Sequence, residues 1–288
     1  MLDYHLHLWP HGRKATQATI EELAAYCDQA AAQGVSEIAL TEHLFRFDQA
    51  DAALGGWWDD EPDVRLRTEV SRYWHDHVSA DLDAYVDTAV AAKAAGLPVV
   101  VGMEVDYYPG RMDKVAALLE GYPFDVLLGS VHWLGGWMFD DLDSAISVGE
   151  WDSRRVEEVW HHYTLALEEL AATGVVDVLA HPDLCKVTGR RPAVPTEFYD
   201  RMAEAAASAG IAAEVSSAGW RKPAAEQYPA QPLLERFQAR GVAITTASDA
   251  HAVQDVGARS AELERIVRDA GYTELRAFAG RQPRAVEI

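Results

Sequence analysis

Two histidines near the amino terminus, in His5-Leu6-His7, have the type and spacing to grip one metal ion. They close a segment, residues 1–8, that reads as an extended strand, where residues two apart point the same way. Asp3, His5 and His7 should then share one face, with Tyr4, Leu6 and Leu8 on the other. A bare pair is weak ground, because neutral imidazole serves equally as a ligand and as an ordinary polar side chain. Weight comes from His43, Glu104, His132, His181, Asp249 and His251 downstream, with His11 just past the first strand. These positions hold seven of the 11 histidines. A packed core has no use for so many imidazoles, each of which needs a hydrogen-bond partner once buried. A shared metal site does, and nitrogen with carboxylate ligands suits Zn, Mn or Fe more than Ca or Mg.

Such residues must be positioned by regular elements, and the pattern supplies them. Residues 19–33 read as a helix, with Thr19 and Glu22 at capping-box spacing, an apolar stripe through Leu23, Tyr26, Cys27 and Ala30, and Gly34 as a stop. A short strand over 35–41 runs into Glu42-His43. Residues 44–78 break the rhythm, with Gly55-Gly56-Trp57-Trp58 and an acidic run, and read as an insert, either a functional lid or a small helical excursion. Beyond it the alternation returns: helix 79–95, strand 97–101 leading to Glu104, helix 112–120, strand 124–131 ending at His132, helix 153–173 and strand 175–180 ending at His181. Helix 196–209, strand 211–215, helix 230–240, strand 242–246 before Asp249, a last helix over 253–270 and a weakly patterned tail complete it. Strands alternating with helices imply parallel pairing through right-handed crossovers, and seven such units fit a closed or nearly closed α/β barrel. The ligand-type residues recur at the carboxyl ends of strands, where α/β barrels build their sites. One barrel domain over residues 1–288 is the expected organisation.

Composition excludes several classes. Hydrophobic residues make up 49% of the chain, enough for a sizeable core, and no stretch approaches the ~20 apolar residues of a membrane span. A formal charge of −21 argues against binding along a nucleic-acid backbone, which needs clustered Lys and Arg. An anionic substrate must then be drawn in by metal ions or a few placed bases. No basic region followed by an apolar run opens the chain, and Cys27 and Cys185 are its only cysteines, so a reducing cytoplasm is expected.

Taken together, His5-x-His7, Thr41-Glu42-His43, Gly102-x-Glu104, Ser130-Val131-His132, Ala180-His181-Pro182 and Ser248-Asp249-x-His251 resemble the polymerase and histidinol phosphatase (PHP) family of metal-dependent phosphoesterases. Within it the histidinol-phosphate phosphatase branch is closest, through Gly102-Met103-Glu104-Val105-Asp106-Tyr107 and Ser216-Ser217-Ala218-Gly219-Trp220-Arg221-Lys222. The resemblance implies a distorted (β/α)7 barrel holding two or three divalent or trivalent ions. A first ion would take His5, His7, Glu104 and Asp249, a second Glu104, His132 and His181, and a third His43, His251 and His11. The last histidine follows the first pair sooner here than in many relatives. The implied activity is phosphomonoester hydrolysis, with L-histidinol phosphate as substrate, by in-line attack of a hydroxide held between ions, with Glu104, Asp249 and His251 in the catalytic set.

A phosphate dianion needs further positive charge, and Arg221 and Lys222 are placed for it after the sixth strand, with Lys186 and Arg190 as second choices. Glu42 and Asp106 could orient ligand histidines, or Asp106 could give a proton to the leaving alcohol. Arg46, Trp57 and Trp58 could cover the site, although tryptophans more often pin an insert to its barrel. His75 and His77 repeat the His-x-His spelling within a helical segment, where such residues diverge, and read as surface residues. His161 and His162 read as structural, and Cys185 as a small buried thiol.

Two rivals remain. A phosphatase or phosphodiesterase for a nucleotide or other small phosphorylated metabolite would use the same ions. A non-catalytic accessory module, as some barrel domains of the family serve within polymerases, would be expected to lack ligands, and none of the expected types is missing. Amidohydrolases also open with His-x-His, but Glu104 stands where many of them carry a bridging lysine.

Overall fold

The structure, a computed structural model, describes residues 1–12 and 14–288. The chain begins with β1 (Leu2–Leu6), α1 (Ile20–Ala32) and β2 (Glu37–Leu40). The capping box closes at Thr19, whose hydroxyl accepts from Glu22 N at 3.2 Å while the Glu22 carboxylate accepts from Thr19 N at 2.8 Å. The insert contributes a short 3-10 turn (Leu44–Arg46), α2 (Asp48–Leu54) and α3 (Val64–His77). It is thus a helical excursion, sealed by the buried rings of Trp58 and Trp74.

Then come α4 (Leu82–Ala94), β3 (Val99–Asp106), α5 (Met112–Leu119) and β4 (Val126–Ser130). Helix α4 starts later than the pattern predicts because Asp81 takes the cap, accepting from Asp83 N at 2.8 Å and Ala84 N at 3.3 Å. A small hairpin, β5 (Trp133–Leu134) and β6 (Trp137–Met138), and α6 (Ala145–Ser153) follow, neither of them predicted. The chain continues with α7 (Val156–Ala172), β7 (Val178–Leu179), α8 (Thr196–Ala209), β8 (Ala212–Ser216), α9 (Gln231–Ala239) and β9 (Ile244–Ala247). Helix α10 (Ser260–Asp269) is shorter than the expected 253–270, because Gly257, at φ +66°, turns the chain so that its N–H reaches Asp3. The tail is a second hairpin, β10 (Glu274–Ala279) and β11 (Gln282–Glu287).

Seven strands form one parallel sheet in the order β1-β2-β3-β4-β7-β8-β9. The sheet closes at the β1–β9 seam: Asp249 N donates to His5 O at 2.8 Å, His7 N to Ala250 O at 2.7 Å, and the Thr246 hydroxyl to Leu2 O at 2.7 Å. The result is the nearly closed (β/α)7 barrel that the alternation predicts. The tail hairpin lies over the opposite end. Arg281 pairs with Asp177 at 3.0 Å and Gly280 N donates to Asp125 Oδ1 at 2.8 Å, both acids just before strands, while Phe278 joins Tyr4, Ala39, Val100 and Leu128 in one apolar cluster.

One expectation fails in β1. Asp3 stands opposite Ile38 and Leu6 opposite Leu40, three steps against two, so the strand carries an extra residue and simple alternation is lost. Asp3 therefore parts from the two histidines. Its carboxylate accepts from Ser248 N (2.8 Å), Ser248 Oγ (2.6 Å) and Gly257 N (2.8 Å), clasping the turn after β9.

Candidate metal centre

The predicted ligands converge. His5 and His7 leave β1, His43 follows β2, Glu104 lies in β3, His132 follows β4, His181 follows β7, and Asp249 and His251 follow β9. Among the described residues, ligand atoms lie within 4.8 Å of one another in four sets: His5, His7 and Asp249; His5, Glu104 and His181; His43, Glu104 and His132; and His7, His43 and His251. Glu104 is the junction. Its Oε1 lies 3.2 Å from His181 Nε2 and 3.5 Å from His132 Nε2, and its Oε2 lies 2.6 Å from His43 Nδ1 and 3.4 Å from His5 Nε2. Burial alone would raise its pKa, but the imidazoles of His43, His5 and His132 outweigh burial and hold Glu104 well below the usual carboxylate range. Gly102, two residues earlier, lets β2 approach, since a Cβ there would meet Leu40 O at 2.9 Å and Thr41 Cγ2 at 2.8 Å.

A carboxylate beneath each of three histidines decides which nitrogen faces the centre. His5 Nδ1 donates to Glu214 at 2.7 Å, His132 Nδ1 to Asp106 at 2.6 Å and His7 Nδ1 to Glu42 at 3.3 Å. With Nδ1 protonated, Nε2 of each carries a lone pair, yet the Nε2 atoms of His5 and His7 stand 3.1 Å apart. Two lone pairs at that distance repel unless a metal ion or a shared proton lies between them. Nε2 of His43, Nδ1 of His181 and Nε2 of His251 are buried without a hydrogen-bond partner, and His43 Nδ1 faces Glu104 Oε2 at 2.6 Å in a geometry that makes no hydrogen bond. Orphaned donors and acceptors in such numbers fit metal ions and do not fit a neutral hydrogen-bonded core. Backbone strain marks the same place, with His181 at φ +27° and Asp249 at φ +52°.

His11 sits apart on the exposed loop after β1, its ring stacked on His251 at 4.3 Å and 5.3 Å from that of His43. In the set with His43 and His251, His7 is the third tight member. Arg221 is exposed, with Nη2 donating to the carbonyls of Ser248 and Asp249 at 2.8 Å each, beside the Asp249 turn. Lys222 is exposed next to it.

Lys186 must be corrected as a phosphate ligand. It is fully buried, and its ammonium donates to Asp183 (2.8 Å), Glu226 (2.6 Å) and Gln227 O (2.8 Å), which uses all three N–H bonds. Lys186→Met should leave the buried carboxylate of Asp183 without its counter-charge, Glu226 keeping Arg191 at 2.6 Å, and destabilise the fold by about 3–5 kcal/mol, which denaturant titration measures. A midpoint equal to that of the parent chain would refute this structural role. Arg190 is committed elsewhere, to Trp151 O and Asp152. Arg46 is buried and donates to Trp9 O and Pro10 O, and Trp57 packs against Trp133 and Tyr108, so these residues brace the insert. Of the His-x-His pair in α3, His75 is exposed as expected, but His77 is buried, because Gly12 N donates to its Nε2 at 3.2 Å. His161 and His162 are exposed on α7, and Cys185 is buried.

Two acids escaped sequence reasoning. Glu214 was discoverable, since a lone carboxylate in a strand reading Ala-Ala-Glu-Val-Ser must find a partner when buried. Asp140, after the β5–β6 hairpin and 4.0 Å from His132 Nε2, carried no local signal.

A seven-stranded barrel with histidines and carboxylates gathered at its carboxyl end defines a metal-binding α/β barrel. The PHP domain family model matches residues 3–218, and the chain belongs to that family. It is 31% identical over 274 residues, 94% of each chain, to a probable histidinol-phosphatase of Deinococcus radiodurans. Its fold is similar to the crystal structure of a histidinol phosphate phosphatase from Lactococcus lactis complexed with Zn, L-histidinol and phosphate, at TM-score 0.67, 21% identity and 98% coverage of both chains. A putative histidinol phosphatase from Listeria monocytogenes is similar at TM-score 0.69 and 18% identity, over 91% of this chain and 99% of its own.

Proposed function

We propose that the chain is a metal-dependent phosphomonoesterase that hydrolyses L-histidinol phosphate to L-histidinol and phosphate. The observation that carries the catalytic reading is Glu104, one buried carboxylate with its two oxygens turned to different groups of imidazoles. The substrate rests on kinship with the Deinococcus radiodurans protein along 94% of the chain. His5, His7, Glu104 and Asp249 would hold one ion, Glu104, His132 and His181 a second, and His11, His43 and His251 a third. The donor set suits Zn, Mn or Fe. Bound ions would supply Lewis-acid charge for the phosphoryl oxygens and lower the pKa of water to make a nucleophile at neutral pH.

The chain's own residues do the rest. Glu42, Glu214 and Asp106 hold three imidazoles in one tautomer, so no reorganisation is needed when substrate arrives. Arg221 and Lys222 bring fixed positive charge to the rim of a strongly acidic molecule, where a phosphate dianion enters. We read residues 1–288 as one barrel domain with the 44–78 insert, acting on a small phosphorylated substrate. No helix among the described residues is long and apolar enough to cross a membrane, and two lone cysteines suit the cytoplasm.

Phosphate release by the metal-loaded protein should be measured on histidinol phosphate, nucleoside monophosphates and an aryl phosphate. Highest kcat/KM on histidinol phosphate is the expected result. Preference for a nucleotide would replace the substrate and keep the class. Turnover of no ester while ions stay bound would leave a binding module.

A further inference from the structure

We propose that helix α3 of the insert positions the seat of the third ion: Tyr73 and His77 hold the loop that carries His11 and orient its imidazole. The proposal rests on reading His11, His43 and His251 as that seat. At the start of the loop from Trp9 to Ala15, Trp9 N donates to Glu42 Oε2 at 3.3 Å, and the hydrogen-bond anchors described beyond it come from the insert or the residue just after it. Arg46 donates to Trp9 O at 3.2 Å and Pro10 O at 3.1 Å, Gly12 N donates to His77 Nε2 at 3.2 Å, and Ala15 N donates to Ser79 Oγ at 2.8 Å.

The tautomer of His77 is determined by its own helix. Nδ1–H donates to Tyr73 O at 2.7 Å, which leaves Nε2 as the acceptor that Gly12 requires, at a glycine held at φ +71°. The Tyr73 ring stacks on His77 at 4.0 Å and sets its hydroxyl 3.4 Å from His11 Nδ1. Nε2 of His11 is then the nitrogen left for an ion. Tyr73 thus does for His11 what Glu214, Glu42 and Asp106 do for His5, His7 and His132, with one difference in kind. Those partners are carboxylates, and Glu42, Asp106 and Glu214 belong to the barrel strands or their ends, whereas Tyr73 is a neutral phenol on an element outside the barrel. The third seat is built of imidazoles only, while the other two share Glu104 and the first adds Asp249. Fewer negative charges and a neutral orienting partner make its ion the most easily lost, and its affinity the one that the insert controls.

The test counts ions. The full chain, loaded with excess Zn and desalted, is analysed for metal per chain and titrated with a chromophoric chelator, with thermal melting run in parallel. The parent chain should hold two ions tightly and release a third at least ~10-fold more readily. Tyr73→Phe, which removes only a hydroxyl, and His77→Ala should each weaken the third ion by ~10-fold or more and leave the two tight ions in place. His77→Gln, whose carboxamide oxygen can accept from Gly12, should restore it, and His75→Ala should change nothing. His11→Ala sets the level for loss of the third seat. If His11→Ala loses the ion while Tyr73→Phe and His77→Ala keep parental affinity, the positioning role is overturned and the seat stands. If all ions weaken together with a lowered melting temperature, a general structural role replaces the proposal. A parent chain that takes up only two ions overturns both the proposal and the third seat.

Discussion

Glu104→Gln should lower turnover by at least ~10³-fold and reduce bound metal, more than the ~10–100-fold expected from removing an outer partner of a ligand. The substitution keeps the shape and removes the charge. Both oxygens of Glu104 face nitrogens, at 3.2 and 3.5 Å on one side and 2.6 and 3.4 Å on the other, and the side chain is fully buried. A carboxamide presents one oxygen and one NH2 group, so one side loses its ligand and both lose the anion that offsets their cations. Steady-state phosphate release and metal per chain check the result. A Gln variant with parental rate and full metal content would remove Glu104 from the bridge and with it the catalytic reading.

The second large effect should come from stripping the ions with a chelator. Activity should vanish, and stability should fall, because ions that bind only the folded chain contribute RT ln(1 + [L]/Kd), about 4 kcal/mol at a thousandfold excess over Kd. For a chain of this size that is roughly 7 °C in melting temperature. The reason is visible in the site: the Nε2 atoms of His5 and His7, 3.1 Å apart, and the orphaned nitrogens of His43, His181 and His251 lose what reconciles them. Re-addition of Zn or Mn should restore both properties. Stripped protein that keeps its melting temperature and its turnover, with elemental analysis showing no metal, would end the metal-centre account.

Much of the barrel was legible because alternation of strand and helix is a local property. The capping box at Thr19 and helix α8 follow from neighbouring residues alone. What escaped was set by distant contacts. The extra residue in β1 arises from pairing with β2, and α10 starts late because Gly257 is drawn to Asp3, more than 250 positions earlier. The tail looked unpatterned because β10 and β11 gain their meaning by covering the opposite end of the barrel, with Arg281 reaching Asp177. Lys186 shows the same limit from the other side. Its place after His181 suggested a phosphate ligand, but three oxygens gathered from Asp183, Glu226 and Gln227 enclose it.

By itself the sequence determined the class of chemistry: residue types that bind metals recur where strands end, and a parallel barrel brings all its strand ends to one rim. Tertiary structure alone decided which nitrogen of each imidazole faces inward, which bases remain open to an anion, and that the insert grips the His11 loop. Those outcomes depend on hydrogen bonds between groups far apart in the chain, whose directions exist only after the barrel has closed.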